Sequence, residues 1–252
     1  DYKDDYFSKG LWINELVKKY NVPLSLGVGI HTDAGGYDND STIGTLAIYT
    51  RFSENKDKYP DGTSRTISRE LADIIQTQIV EDIRNTYASN WNRRPLWDRS
   101  YVEARVPEIP SILLEMFSHQ NFQDMKYGLD PKIQFTISRS IYKGILKYVA
   151  FTQNREYTVQ PLPIKNFSTN LYFGNKPTAQ LQWEERIDPL EESATADHYI
   201  VYTQVIDINN TTPSDFDQGT IVYKNKFSLA IESDKIYNFK VTAVNKGGES
   251  FP

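Results

Sequence analysis

The 252-residue chain contains no cysteine. That excludes disulfides and thiolate metal sites, and it fits either a reducing cytosol or a disulfide-poor bacterial envelope. No apolar run approaches the roughly 18 residues of a membrane span, and no signal peptide is visible. Basic residues are outnumbered: 28 Lys and Arg against 33 Asp and Glu leave a formal net charge of −5. No Lys/Arg cluster offsets this balance, so nothing points to a nucleic-acid partner. Histidine is scarce, with only His31, His119 and His198, so any bound metal must draw on these and on Asp or Glu.

What is present is ordinary for a globular chain on the aromatic-rich side, with 39% apolar and 13% aromatic residues. The length allows one large domain or two ordinary ones. The opening Asp1-Tyr2-Lys3-Asp4-Asp5 matches the start of an acidic affinity tag, but Tyr6-Phe7 follow where further acids would stand, and we read it as native.

Two stretches organise the chain. Val28–Asp33, V-G-I-H-T-D, is an apolar run that ends in a histidine and an acid before the glycine-rich Ala34-Gly35-Gly36. Ile109–Asn121 contains I-P-S-I-L-L-E, a second apolar run ending in a lone glutamate, Glu115. Strands that deliver such side chains at their carboxyl tips form the ligand-binding edge of open α/β sheets. Around them, Asp5–Tyr20 reads as a helix closed by Asn21-Val22-Pro23, Leu24–Ile30 as a buried strand and Gly44–Arg51 as a second strand. Ser64–Tyr87 carries the clearest helical stripe: Ile67, Leu71, Ile74, Ile75, Ile79, Ile83 and Tyr87. Asn90–Trp97 is irregular, Tyr101–Val106 alternates as a short strand, and Ser111–Glu115 is a buried one. Asp130-Pro131 caps a last helix that runs to Tyr148.

Strands alternating with long helices predict an α/β layered fold with a largely parallel sheet. After about Thr152 the pattern changes to short alternating strands, at Ala179–Trp183, Tyr199–Val205, Thr220–Tyr223, Phe227–Ile231 and Tyr237–Asn245, which points to a β-sandwich. The expected organisation is residues 1–152, a linker over 153–160, and residues 161–252.

Tyr101–Ala150 resembles the C-terminal half of the zinc-dependent N-acetylmuramoyl-L-alanine amidases. In that family an arginine-ending strand leads to a proline, a buried strand, the catalytic glutamate, an aromatic and an asparagine; here these are Arg105, Pro110, Ile112–Leu114, Glu115, Phe117 and Asn121. Leu26–Ala34 resembles the family's strand ending in a zinc-binding histidine, His31, and Ser68–Ala72 looks like the intervening helix. The order holds over about residues 4–150. The opening D-D-Y…G-x-W-x-N and the H-T-D-A-G-G run are similar to a divergent branch labelled xanthan lyase-like in anaerobic gut bacteria, although no lyase-type Tyr/His/Asn constellation is found. Residues 160–252 resemble a fibronectin type III module, with Trp183 as core tryptophan and Tyr237 in the place of the tyrosine corner.

The resemblance implies an amidase-like layered sheet with its N-terminal part missing, followed by an all-β fibronectin type III-like sandwich. It implies a zinc cofactor, a peptidoglycan or other cell-surface glycan as partner, and a secreted, periplasmic or cell-surface location in a bacterium. The family's other zinc ligands, a histidine and a glutamate, lie upstream of the matched region, so the chain is expected to be a fragment, inactive alone, that needs an upstream segment of the same protein. His31 is then the metal ligand, or else a histidine hydrogen-bonded in a turn. Glu115 is the general base, or else a salt-bridge partner of Arg105; Arg105 is catalytic through substrate orientation, or structural. His119, four residues after Glu115, either reaches the same cleft or, as expected, makes a local turn contact; His198 is expected to sit at the surface or the edge of the sandwich. Asp33, Asp38 and Asp40 lack EF-hand spacing and read as a solvated turn. Trp91 and Trp97, with Arg93 and Arg94, either stack on sugar rings or pack a long loop. The competing functional reading is a non-catalytic polysaccharide- or surface-binding protein on a degenerate amidase scaffold.

Overall fold

The computed structural model describes residues 2–35, 41–209 and 215–252. Its first unit, Asp1–Arg155, opens with the helix α1 (Tyr2–Tyr20). The helical spacing of its apolar residues does form a helix, yet Leu11, Trp12 and Tyr20 are 54%, 65% and 63% exposed and do not enter the core. The strands β1 (Gly27–Asp33) and β2 (Leu46–Tyr49) follow, then α2 (Ile67–Thr86), β3 (Trp97–Asp98), α3 (Val102–Arg105) and β4 (Ser111–Ser118). Two further helices, α4 (Phe122–Gly128) and α5 (Pro131–Gln153), complete the unit.

The sheet order is β1-β4-β2-β3. β1 and β4 are parallel, β4 and β2 antiparallel, and β2 and β3 parallel. The sheet is therefore mixed where a largely parallel one was expected. A parallel neighbour needs a long crossover, usually helical, and only residues 34–45 separate β1 from β2, with no helix among those described.

The central strand β4 is buried on both faces, which its apolar run requires. On one face Ile112, Leu114 and Met116 join Leu71, Ile75, Ile79 and Ile83 of α2 and Ile133, Ile137 and Ile141 of α5 in the main core. On the other, Leu113 packs with Leu46 and Ile48. The helices α2 and α5 approach closely at Gly144, where a Cβ would lie 2.9 Å from Ile75 Cα. Between them lies a buried ion pair, Lys143 Nζ to Asp82 Oδ2 at 2.7 Å, to which Ser140 Oγ donates at 2.6 Å and Gln78 Nε2 at 3.0 Å. Asp130 caps α5 by accepting from the Lys132 amide at 2.8 Å, and Asn154, left-handed at φ 47°, ends it.

Tyr101–Val106 is not the strand its alternation suggested. Its bonds are local, Arg105 N to Tyr101 O and Val106 N to Val102 O, both at 2.9 Å, and α3 is a single helical turn. Alternation over so few residues does not discriminate between the two. Asn14 of α1 ties down the segment that follows α3, donating to Val106 O at 3.2 Å and accepting from Glu108 N at 2.8 Å. Among the described residues no helix is long and apolar enough to cross a membrane.

The second unit, Glu156–Pro252, is all-β among the described residues apart from one 3₁₀ turn. Its strands are β5 (Lys165–Tyr172), β6 (Thr178–Glu184), β7 (His198–Asp207), β8 (Thr220–Val222), β9 (Lys226–Ala230), β10 (Lys235–Asn245) and β11 (Gly248–Glu249). They form two antiparallel sheets, β11-β10-β7-β8 and β5-β6-β9. Leu181, Trp183, Tyr199, Val201, Val241 and Ala243 make the core, with Trp183 and Tyr199 edge-to-face at 5.3 Å.

Candidate active site

The two tips that organise the sequence meet in the sheet. β1 and β4 run parallel in register from Gly27↔Ser111 to His31↔Glu115, so His31 and Glu115 are side by side on one sheet face. Beyond them the register shifts between His31 and Asp33, which turns Asp33 towards Arg94 Nη1, an ion pair at 2.7 Å. Arg94 also lies over the Trp97 ring at 5.3 Å.

Glu115 follows three apolar residues, and its position shows. Its Oε2 is sealed from solvent without a hydrogen-bond partner among the described residues. Burial pushes its carboxyl above the ordinary 4.5 and the charge of Asp33 adds to that, against His31, Arg94 and His119. A carboxyl raised in this way exchanges protons closer to neutrality, as a general acid–base group must.

His31 Nε2 is engaged by Glu103 Oε2 of α3 at 2.5 Å. Lys9 of α1 holds the other oxygen of Glu103 at 3.1 Å. Burial pushes the Glu103 carboxyl up, but the hydrogen bonds and charges of His31 and Lys9 outweigh it and hold it below the ordinary 4.5. Lys9, Gly10, Ile13, Gly27–His31, Glu103 and Pro107 line a cleft of about 280 Å³ here. Sequence reasoning gave Glu103 no role, because its partner is 72 residues away and no local pattern marks it.

Asp124 was also missed. Its carboxylate accepts from the amides of Ile43 at 2.9 Å, Gly44 at 3.2 Å and Ser118 at 2.8 Å, tying the loop before β2 to the carboxyl end of β4. Burial raises its carboxyl, opposed by those backbone bonds. Asn121 caps α4 by accepting from Asp124 N at 2.8 Å, which places Asp124.

The remaining candidates fall elsewhere. Arg105 stacks over Phe7 at 5.8 Å and its carbonyl accepts from Arg65 at 3.1 Å; among the described residues it makes no ion pair with Glu115, whose ionisable neighbours are Asp33, His31, Arg94 and His119. His119 contacts β1 rather than its own turn, with Nδ1 3.1 Å from Thr32 Oγ1 and its amide donating to Asp33 O at 2.9 Å. Trp91 is fully buried, its Nε1 donating to Thr45 Oγ1 at 3.0 Å, so it packs the loop and offers no sugar platform. Arg93 pairs with Asp73. His198 begins β7 beside Tyr223. Asp38 and Asp40 lie outside the described residues.

A catalytic zinc takes three protein ligands. Among the described residues no group of three His, Cys, Asp or Glu side chains could hold a metal ion, and the oxygen nearest His31 Nε2 is bonded to it directly. The described donor set therefore does not fit a complete zinc site.

Fold and site define an α/β protein with a histidine and a half-buried glutamate, one oxygen of which is sealed from solvent, paired towards the carboxyl ends of neighbouring parallel strands. The chain belongs to the N-acetylmuramoyl-L-alanine amidase family, whose model matches residues 8–147. Comparison with curated proteins finds no match. Among solved structures it is similar to the N-acetylmuramoyl-L-alanine amidase of Clostridium difficile 630, at 22% identity over 56% of this chain and 63% of that one, with a TM-score of 0.43. An amidase of Nostoc punctiforme matches at 19% identity over 54% of this chain and 63% of its own, TM-score 0.42. One from Mycobacterium smegmatis matches at 19% identity over 55% and 61%, TM-score 0.42. The chain thus spans less than two thirds of the length of these structures.

Proposed function

We propose that this chain is part of a peptidoglycan hydrolase that cleaves the amide between N-acetylmuramic acid and L-alanine. Family membership supports the substrate class. The observation that carries the chemistry is the unpartnered, buried Glu115 oxygen beside His31 on the adjoining strand. Amide hydrolysis needs a group that takes a proton from the attacking water and returns it to the leaving amine. Glu115, raised by burial, does both; the Asp33–Arg94 pair flanks it and sets the local charge. Arg105 acts at one remove in this reading, orienting α3 through its stacking on Phe7.

Zinc belongs to the proposal as an ion for which His31 would be one ligand. The described residues do not complete its ligand set, and no step is derived through it. The second unit is proposed as a fibronectin type III-like accessory sandwich over 161–252. Its paired antiparallel sheets, its Trp183 core and the Tyr237 hydroxyl, which accepts from the Glu232 amide at 3.0 Å, support that. The xanthan lyase-like branch and a secreted or cell-surface location are part of the same reading. The incomplete donor set favours one alternative, a non-catalytic surface-binding protein on a degenerate scaffold.

Product analysis separates them. The full-length protein, incubated with purified peptidoglycan, is expected to release stem peptides with a free L-alanine amino terminus. Tight binding to peptidoglycan with no such peptides would establish the binding reading instead.

A further inference from the structure

We infer that Trp97 is a sugar-stacking subsite beside Glu115, a ring that holds a pyranose of the glycan strand to which the scissile amide is attached. The inference deepens the hydrolase reading and rests on it for the substrate.

Strand register carries the argument. Glu115 of β4 pairs with Leu46 of β2, and Ile48 of β2 pairs with Trp97 of β3. Paired residues share a sheet face, and so do residues two apart on one strand. Trp97, Glu115 and His31 therefore belong to one face, the one opposite the core with α2 and α5. Strands about 4.8 Å apart, rising about 3.4 Å per residue, put the Cα atoms of Trp97 and Glu115 roughly 12 Å from one another. A short stretch of glycan bridges that separation.

Arg94 joins the two ends of this surface. Its guanidinium lies over the Trp97 ring at 5.3 Å, is held by Asp33 at 2.7 Å, and acts on Glu115 through its charge. Its backbone is anchored as well, the amide donating to Thr45 O at 3.0 Å and the carbonyl accepting from Gln76 Nε2 at 2.9 Å. With Arg94 on one face of the indole, the ring offers its other face to a ligand; Trp97 is 38% exposed, whereas Trp91 is fully buried. The C–H groups on a pyranose face suit the negative face of an aromatic ring. N-acetylmuramic acid carries the amide to be cleaved, so a sugar accompanies every turnover at Glu115.

The test measures binding apart from cleavage. The full-length protein is titrated by calorimetry with peptidoglycan glycan strands stripped of their peptides, as wild type, Trp97→Ala, Trp97→Phe and Trp12→Ala, with circular dichroism confirming that each folds. Trp12 is the comparison because its ring is exposed on α1 and has no part in this surface. Trp97→Ala is expected to weaken binding about tenfold, Trp97→Phe to keep most of the affinity and Trp12→Ala all of it. Equal affinity in Trp97→Ala and wild type overturns the subsite, as does an equal loss in Trp12→Ala or no glycan binding by the wild type. Release of stem peptides from intact peptidoglycan checks the hydrolase reading separately. Glycan binding that depends on Trp97 without such release keeps the subsite and removes the reaction; release with Trp97→Ala affinity unchanged keeps the reaction and removes the subsite.

Discussion

His31 and Glu115 are Cα partners on adjoining parallel strands, with their side chains on the same sheet face. Strand pairing fixes this relationship more firmly than loop contacts would, because a slip of one residue would turn either side chain to the opposite face. The site is thus as rigid as the β1–β4 ladder. What varies around it is what the short helix α3 and the loop before β2 present to it.

Glu115 costs stability at neutral pH. A carboxyl raised on folding keeps its proton in the folded chain after the unfolded chain has lost it. Stability therefore falls as pH rises from the ordinary 4.5 towards the raised folded value, and the whole loss is present above that value. Glu115→Gln removes the titrating charge while keeping the shape. Thermal unfolding should show the variant more stable than the parent at about pH 7, with the difference closing at about pH 3.5, where both side chains are neutral.

Much of this was legible in the chain itself, and the failures have physical causes. Val28–His31 and Ile112–Glu115 read as strands because both are apolar runs that stop at a charged tip, and the stripes of α2 and α5 read as helices because four-residue apolar spacing persists over several turns. The Glu103–His31 contact joins residues far apart in sequence. β5 was missed because every one of its residues, from Lys165 to Tyr172, is exposed, which leaves no buried alternation to read. The apolar stripe of α1 gave the helix correctly but not its burial, since spacing reports which residues share a face and not what covers it.

The buried Asp82–Lys143 pair predicts a large single-residue effect. Asp82→Ala leaves the Lys143 ammonium, 1% exposed, without its carboxylate, and should cost about 3–5 kcal/mol. Denaturant melts of the variant measure this directly. Replacing both residues with apolar ones of similar volume should recover most of the loss.

Gly144→Val tests the closeness of α2 and α5. The new side chain meets the Ile75 backbone at 2.9 Å, which has no rotamer to yield, so destabilisation of about 1–3 kcal/mol or more is expected from urea unfolding.

Asp124→Ala should act on the site without touching it. It removes the acceptor for three backbone amides that join the loop before β2 to the end of β4. A stability loss of about 1–3 kcal/mol is expected, with faster amide exchange at Ile43 and Ser118 than at Ile79 in the core.

The most direct measurement compares full-length wild-type protein with Glu115→Gln on purified peptidoglycan, following the appearance of L-alanine amino termini. With Glu115 as the proton-transferring group, the variant should lose about a hundredfold or more of the rate while binding peptidoglycan as before. A variant that cleaves at the wild-type rate would contradict the account.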